Sequence, residues 1–158
     1  MRQLHNRNRR GQRGAVLVEM ALVIPILLFL FVGVIDYGLI LREYQVLQNA
    51  AREGARLSIQ EEYCISCGPT TAQQNAVRDA IRNRVVNYLS QERITIAATD
   101  VNVDQCTPID MGSGGITSGS TITVSYTRSL LIGNGWPFGP VALRGAATFR
   151  NLYFAPAC

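Results

Sequence analysis

The sequence predicts an α+β protein: a long N-terminal helix that crosses a membrane and continues beyond it as an amphipathic helix, then a second helix and a small antiparallel sheet of about three strands. Three patterns predict it. Ala15 to Ile35 is an apolar run interrupted by a single charge, Glu19. Beyond that run, apolar residues recur at spacings of three and four, the helical period, first from Tyr37 to Ser58 and again from Val77 to Tyr88. Past Glu92 the period shortens to two, most cleanly in Thr121-Ile122-Thr123-Val124-Ser125-Tyr126, as in a strand with one buried face.

A spanning helix needs ~20 largely apolar residues at about 1.5 Å each, and the run from Ala15 is long enough. Ahead of it stand Arg2, Arg7, Arg9, Arg10 and Arg13 with no acidic residue, which by the positive-inside rule keeps that flank in the cytoplasm. Everything after Asp36 is then expected outside the cytoplasm. A secretory signal has a shorter apolar core and ends in a small-x-small cleavage site. Ile35-Asp36-Tyr37-Gly38 offers no such site, so the hydrophobic segment is expected to stay. The expected organisation is a basic cytoplasmic leader over 1–14, a transmembrane helix over 15–35, its extracytoplasmic continuation over 36–60 and a small α+β domain over 61–158.

The net charge of +4 comes from 15 basic and 11 acidic residues, and every basic residue is arginine. Five of those arginines precede Ala15, so the rest of the chain is close to neutral. The basicity is therefore a topology signal. Nucleic acid is excluded as a partner because the remaining arginines are scattered along helical faces rather than clustered with aromatics.

In the extracytoplasmic half, Tyr37, Ile40, Leu41, Tyr44, Leu47, Ala51, Ala55 and Ser58 form the periodic stripe, and the helix is expected to run to about Ile59. From Ala15 that is roughly 67 Å, of which ~35 Å projects past the bilayer. Ala50, Ala51, Gly54 and Ala55 would let another element approach closely, and Pro25 and Gly33 are points where the membrane half could bend. Gly68-Pro69 breaks the pattern. Thr70 and Thr71 then precede Gln73 and Gln74 at capping-box spacing, opening a second helix from about Thr71 to Leu89 with Val77, Ile81, Val85 and Tyr88 on one face. Arg78, Asp79, Arg82 and Arg84 read as its solvated face.

Strands are expected over Ile94 to Val103, Thr121 to Tyr126 and Ala146 to Phe154. Met111 through Ser120 reads as a flexible connection. Gly133 to Pro140 reads as a turn-rich loop, in which Trp136 and Phe138 are anchors folded onto the sheet; the alternative is an exposed contact for a partner or the membrane interface.

Cys64, Cys67, Cys106 and Cys158 all follow the membrane segment, in the compartment where disulfides persist. Four cysteines allow three connectivities, and the even count favours structural bridges. The preferred pairing is Cys64 with Cys67 as a local loop and Cys106 with Cys158 tying down the C-terminus. A zinc ribbon would need a second close pair, and a thioredoxin-like motif would need a βαβ setting. Neither is present in the sequence, so no metal and no cofactor is expected. The only histidine, His5, lies in the leader, no glycine-rich phosphate loop opens a helix, and Asp100, Asp104 and Asp110 lack the spacing of a calcium loop. No catalytic residue and no small-molecule substrate are expected. The enzymatic alternative is a tethered thiol oxidoreductase using Cys64 and Cys67; the other is an adhesin or binding module that is never processed.

Glu19 remains to be explained. A charge at the centre of a spanning helix costs ~2.5–3.5 kcal/mol on insertion scales. A cut between Gly14 and Ala15 would free an α-amine four residues before Glu19, about 6 Å away along the helix. Amine and carboxylate could then pair between neighbouring subunits and fix their axial register, since either charge left alone in lipid is expensive. The bland alternative is a plain signal-anchor whose Glu19 reaches water at the interface.

Gly14-Ala15-Val16-Leu17-Val18-Glu19 resembles the prepilin-peptidase site of type IV pilin-like proteins. The continuation Met20-Ala21-Leu22-Val23-Ile24-Pro25 through Val34-Ile35-Asp36-Tyr37-Gly38 resembles the TadE-like minor pilins of tight-adherence (Flp, type IVb) pilus systems, and Ala50-Ala51-Arg52-Glu53-Gly54-Ala55-Arg56 is similar to a family motif. The resemblance implies cleavage after Gly14 by an inner-membrane aspartic prepilin peptidase. It also implies partnership with other Tad pilus subunits and the assembly platform, in a thin adhesive pilus. Met20 stands where major Flp pilins have Tyr, and Ala15 where conventional type IV pilins have an aromatic. A globular domain far larger than a major Flp pilin's implies a minor or pseudopilin role.

Overall fold

The computed structural model describes residues 8–110, 112, 116–131 and 139–151, with side chains in the first helix from Gly14 onward. Helix α1 runs unbroken from Asn8 to Ser58, 51 residues, through both Pro25 and Gly33. Every residue from Gly14 to Phe31 is exposed, and this is one helix long and apolar enough to cross a membrane, with a mean hydropathy of 2.8 in its most apolar window. The core lies wholly beyond that stretch.

A short 3-10 turn over Glu61–Tyr63 leads to helix α2, Thr71–Gln91. Thr70 is its N-cap: the hydroxyl oxygen accepts the Gln73 N–H at 3.3 Å and donates back to Gln73 Oε1 at 3.0 Å. At the other end the Ile94 N–H reaches Leu89 O at 2.9 Å and the Arg93 N–H reaches Ser90 O at 3.1 Å. These two bonds form a Schellman motif, with Arg93 in the left-handed region (φ 64°) where glycine is usual.

Three strands follow, β1 Val101–Asp110, β2 Ile116–Arg128 and β3 Val141–Arg150, in an antiparallel meander with β2 at the centre. Val101 pairs with Val124 and Val124 with Gly145, setting the register. One sheet face carries Val101, Val103, Ile122, Val124, Leu143 and Ala147 onto Leu47, Ala50, Ala51 and Ala55 of α1 and Ile81, Val85 and Leu89 of α2. Each large apolar side chain fully buried there contributes about 1.5–3 kcal/mol.

The α+β plan is as expected, but all three strands differ from their expected bounds. The segment from Ile94 to Asp100 is not a strand. Ile94 is buried as the closing residue of the α2 cap, Ile96 packs against the core from an extended connection, and Ala97–Asp100 turns with the Ala97 N–H donated to Asp100 Oδ2 at 3.1 Å. The ladder starts at Val101 and runs through Pro108, tolerated because β1 is an edge strand. Residues 116–120 belong to β2, not to a flexible connection. Gly119 is demanded there because a Cβ would collide with the Ile109 side chain and lie 3.1 Å from Phe149 O. β3 begins five residues before Ala146, and its glycine is a packing device: a Cβ at Gly145 would sit 2.6 Å from the Leu47 carbonyl. Phe154, Trp136, Phe138 and Cys158 lie outside the described residues.

The helical stripe lies where expected at Ile40, Leu47, Ala51, Ala55 and Ser58 but is rotated at its start. Tyr37, Leu41 and Tyr44 are 63%, 44% and 43% exposed, whereas Asp36 is buried and Glu43 half-buried. The residues of α1 that face the sheet and α2 are Asp36, Ile40, Glu43, Leu47, Ala50, Ala51, Gly54, Ala55 and Ser58.

Candidate functional site

Two regions of α1 are candidates for function: its exposed N-terminal half and the seat that carries the domain. In the first, the helix presents Gly14, Ala15 and Glu19 on the open surface of a rod. No heavy atom would meet a Cβ at Gly14, and Ala15 and Glu19 are exposed. A separation of four residues places Ala15 and Glu19 on one helix face, one turn apart. Among the described residues, no hydrogen bond or ion pair reaches Glu19. Among the described residues nothing covers Gly14, Ala15 or Glu19.

The seat is built from acids, small residues and one glutamine. The Asp36 carboxylate accepts the Leu131 N–H with both oxygens, at 3.1 and 3.0 Å, holding the end of β2 against the helix. About two turns further on, Glu43 pairs with Arg128, their side chains 17% and 13% exposed. Gly54 lets α2 come close, since a Cβ there would lie 2.5 Å from Val85 Cγ2. At the helix end, the buried Ser58 Oγ donates to Ala55 O at 2.8 Å, so Ser120 Oγ is the donor in the short contact between the two serines.

Gln105, buried on β1, completes the seat. Its Nε2 donates to Ser58 O and Tyr63 O, both at 2.7 Å, and its Oε1 accepts the Ile65 N–H at 2.8 Å. One side chain therefore caps the C-terminus of α1 and fixes the loop into α2. Asn151 Nδ2 donates to the Gln105 carbonyl at 3.0 Å, adding the exit of β3 to the same cluster.

A disulfide joins Cys64 and Cys67 across that loop, with Cα atoms 5.3 Å apart. Cys106, exposed on β1, is also disulfide-bonded. Among the described residues no three His, Cys, Asp or Glu side chains converge as a metal set. The face of α2 read as solvated in fact makes two tertiary links. Arg82 Nε donates to Val101 O at 3.0 Å, and Arg84 pairs with Glu53 of α1 at 2.7 Å.

Sequence reasoning missed Asp36, Glu43, Gln105 and Arg128 as structural ligands of the seat. The acids could have been found: Asp36, Ile40, Glu43 and Leu47 keep the three-and-four spacing in phase with Gly54 and Ser58. Gln105 and Arg128 carry no local signal, because their partners lie far along the chain.

No curated protein and no solved structure matches the chain. A family model described as TadE-like protein matches residues 14–56, nearly the length of α1. Over that segment the chain is similar to the TadE-like proteins, a structural family associated with Tad pilus assembly.

Proposed function

We propose that this chain is a minor pilin or pseudopilin of a Tad-type adhesive pilus. It is made as an inner-membrane precursor and cut between Gly14 and Ala15 by a prepilin peptidase. In this reading residues 1–14 are a cytoplasmic leader, 15–35 span the membrane, 36–60 carry the helix into the periplasm and 61–158 form the domain displayed on it. The observation that carries the reading is the exposed apolar rod headed by Gly14 and Ala15, whose one charge, Glu19, has no partner within the described chain.

The mechanism follows from charge and depth. Before cleavage the five leader arginines oppose movement of the helix out of the membrane, because each would have to cross the hydrocarbon core. Cleavage removes them and creates an α-amine at Ala15. That amine of one subunit pairs with Glu19 of another, and mismatched registers are rejected because they leave both charges unpaired in a medium of low dielectric constant. Apolar contact along the rod then supplies cohesion without direction, while the ion pair supplies register.

The test is a pair of variants in the native host. Gly14→Leu should leave a full-length membrane protein and abolish the subunit's entry into filaments. Glu19→Ala should be cut and inserted normally yet fail to assemble. Normal filament incorporation of Glu19→Ala would refute the charge-pair mechanism, and normal processing of Gly14→Leu would refute the cleavage site.

A further inference from the structure

Asp36 is the first charged residue after the apolar run, and it is where the domain is tied back to its helix. With Ala15 at one face of the hydrocarbon core, a 1.5 Å rise puts Asp36 about 31 Å further along, against a core about 30 Å thick. Asp36 then lies at the outer boundary between lipid and water. Its carboxylate, in a residue only 6% exposed, holds the Leu131 N–H at 3.0 Å, so the end of β2 is fixed at that same depth.

What the domain presents there is apolar. Leu131 is 65% exposed, and Tyr37, at the same level on α1, is 63% exposed. Ser129 and Leu130 beside Leu131 are uncharged, and the next charge back along the chain, Arg128, is neutralised by Glu43. An exposed leucine held at the lipid surface gains about 25 cal/mol for each Å² it removes from water, and tyrosine is enriched at that boundary.

We propose that the segment just past β2, at Leu131, docks on the outer lipid surface of the membrane. Leu131 is then seated in the interfacial layer, Tyr37 lies at the same depth, and Asp36 is the strut that sets the height. The domain is thereby held against the bilayer until the helix is withdrawn. The proposal rests on the reading that α1 spans the membrane, and continuity with that helix is what makes lipid the occupant.

The test uses the full chain in phosphatidylcholine vesicles whose acyl chains carry bromine, a short-range quencher, close to the headgroup. In a Trp136→Phe background, single tryptophans are placed as Leu28→Trp in the apolar rod, Leu131→Trp, and Arg150→Trp at the far end of β3. Leu131→Trp and Leu28→Trp should lose most of their emission relative to vesicles without bromine, and Arg150→Trp should not. Quenching at Leu28 with none at Leu131 overturns the docking while leaving the spanning helix intact. Absence of quenching at Leu28 refutes the spanning reading, and the docking with it. A nitroxide attached through Leu131→Cys gives an independent readout: preferential broadening by lipid-soluble oxygen supports docking, and broadening by a water-soluble nickel complex refutes it.

Discussion

Replacing Gln105 with alanine removes three hydrogen bonds at once and leaves Ser58 O, Tyr63 O and the Ile65 N–H without the partner that now serves them. A hydrogen bond contributes about 1 kcal/mol net, and a buried polar group left unsatisfied costs about 1–3 kcal/mol. Cavity water reached by relaxation would rescue part of this, so the loss should be about 3–4 kcal/mol. For a domain of this size each kcal/mol moves the midpoint by about 4–8 °C, which sets a fall of roughly 12 °C or more. Thermal unfolding of the full chain in detergent micelles, followed by near-UV circular dichroism, measures it. Gln105→Glu should be at least as damaging at neutral pH, because a carboxylate would face two carbonyl oxygens. A midpoint within about 3 °C of the parent for Gln105→Ala, less than 1 kcal/mol, would refute the claim that this side chain caps α1.

The same assay reads three further predictions. Gly145→Ala should cost about 1–3 kcal/mol, since a Cβ 2.6 Å from the Leu47 carbonyl forces β3 off the helix; an unchanged midpoint would show that the close approach is not a constraint. Glu43→Leu or Arg128→Leu alone should cost about 2–3 kcal/mol, less than for a fully buried pair, by leaving one partly buried charge unpaired, whereas the double variant should recover most of that loss. The pair is contacted through one oxygen only, with Glu43 Oε2 and Arg128 Nε lacking partners among the described residues, so its removal as a unit forfeits little. Arg93→Gly should stabilise by about 1 kcal/mol by relieving the left-handed backbone at the α2 cap, and a loss of stability would contradict the Schellman assignment.

The parts of the fold governed by local pattern were legible in the sequence. A 3.6-residue period and a threonine cap locate α2 to within two residues of its end, and alternation locates the centre of β2. The strand ends were not legible, because tertiary contact overrides local preference there. Ile94 and Ile96 have strand-forming side chains but serve a helix cap and a loop, while Gly119 and Gly145, poor strand formers, sit in strands because the opposing atoms leave no room for a Cβ. The rotation of the α1 stripe has a similar cause. Hydrophobic periodicity favoured Tyr37, Leu41 and Tyr44, yet the domain is seated through Asp36 and Glu43, whose partners Leu131 and Arg128 lie far along the chain, just past and at the end of β2. The processing role proposed for Gly14 to Glu19 could be read only as a motif, because a short linear sequence needs no tertiary contact to present it.

The processing event is tested most directly by the intact mass and N-terminal sequence of the chain recovered from host membranes and from sheared filaments. A polypeptide beginning at Ala15 in the filament fraction is the expected result. A chain that still carries Arg2 to Gly14 in assembled filaments would contradict the account.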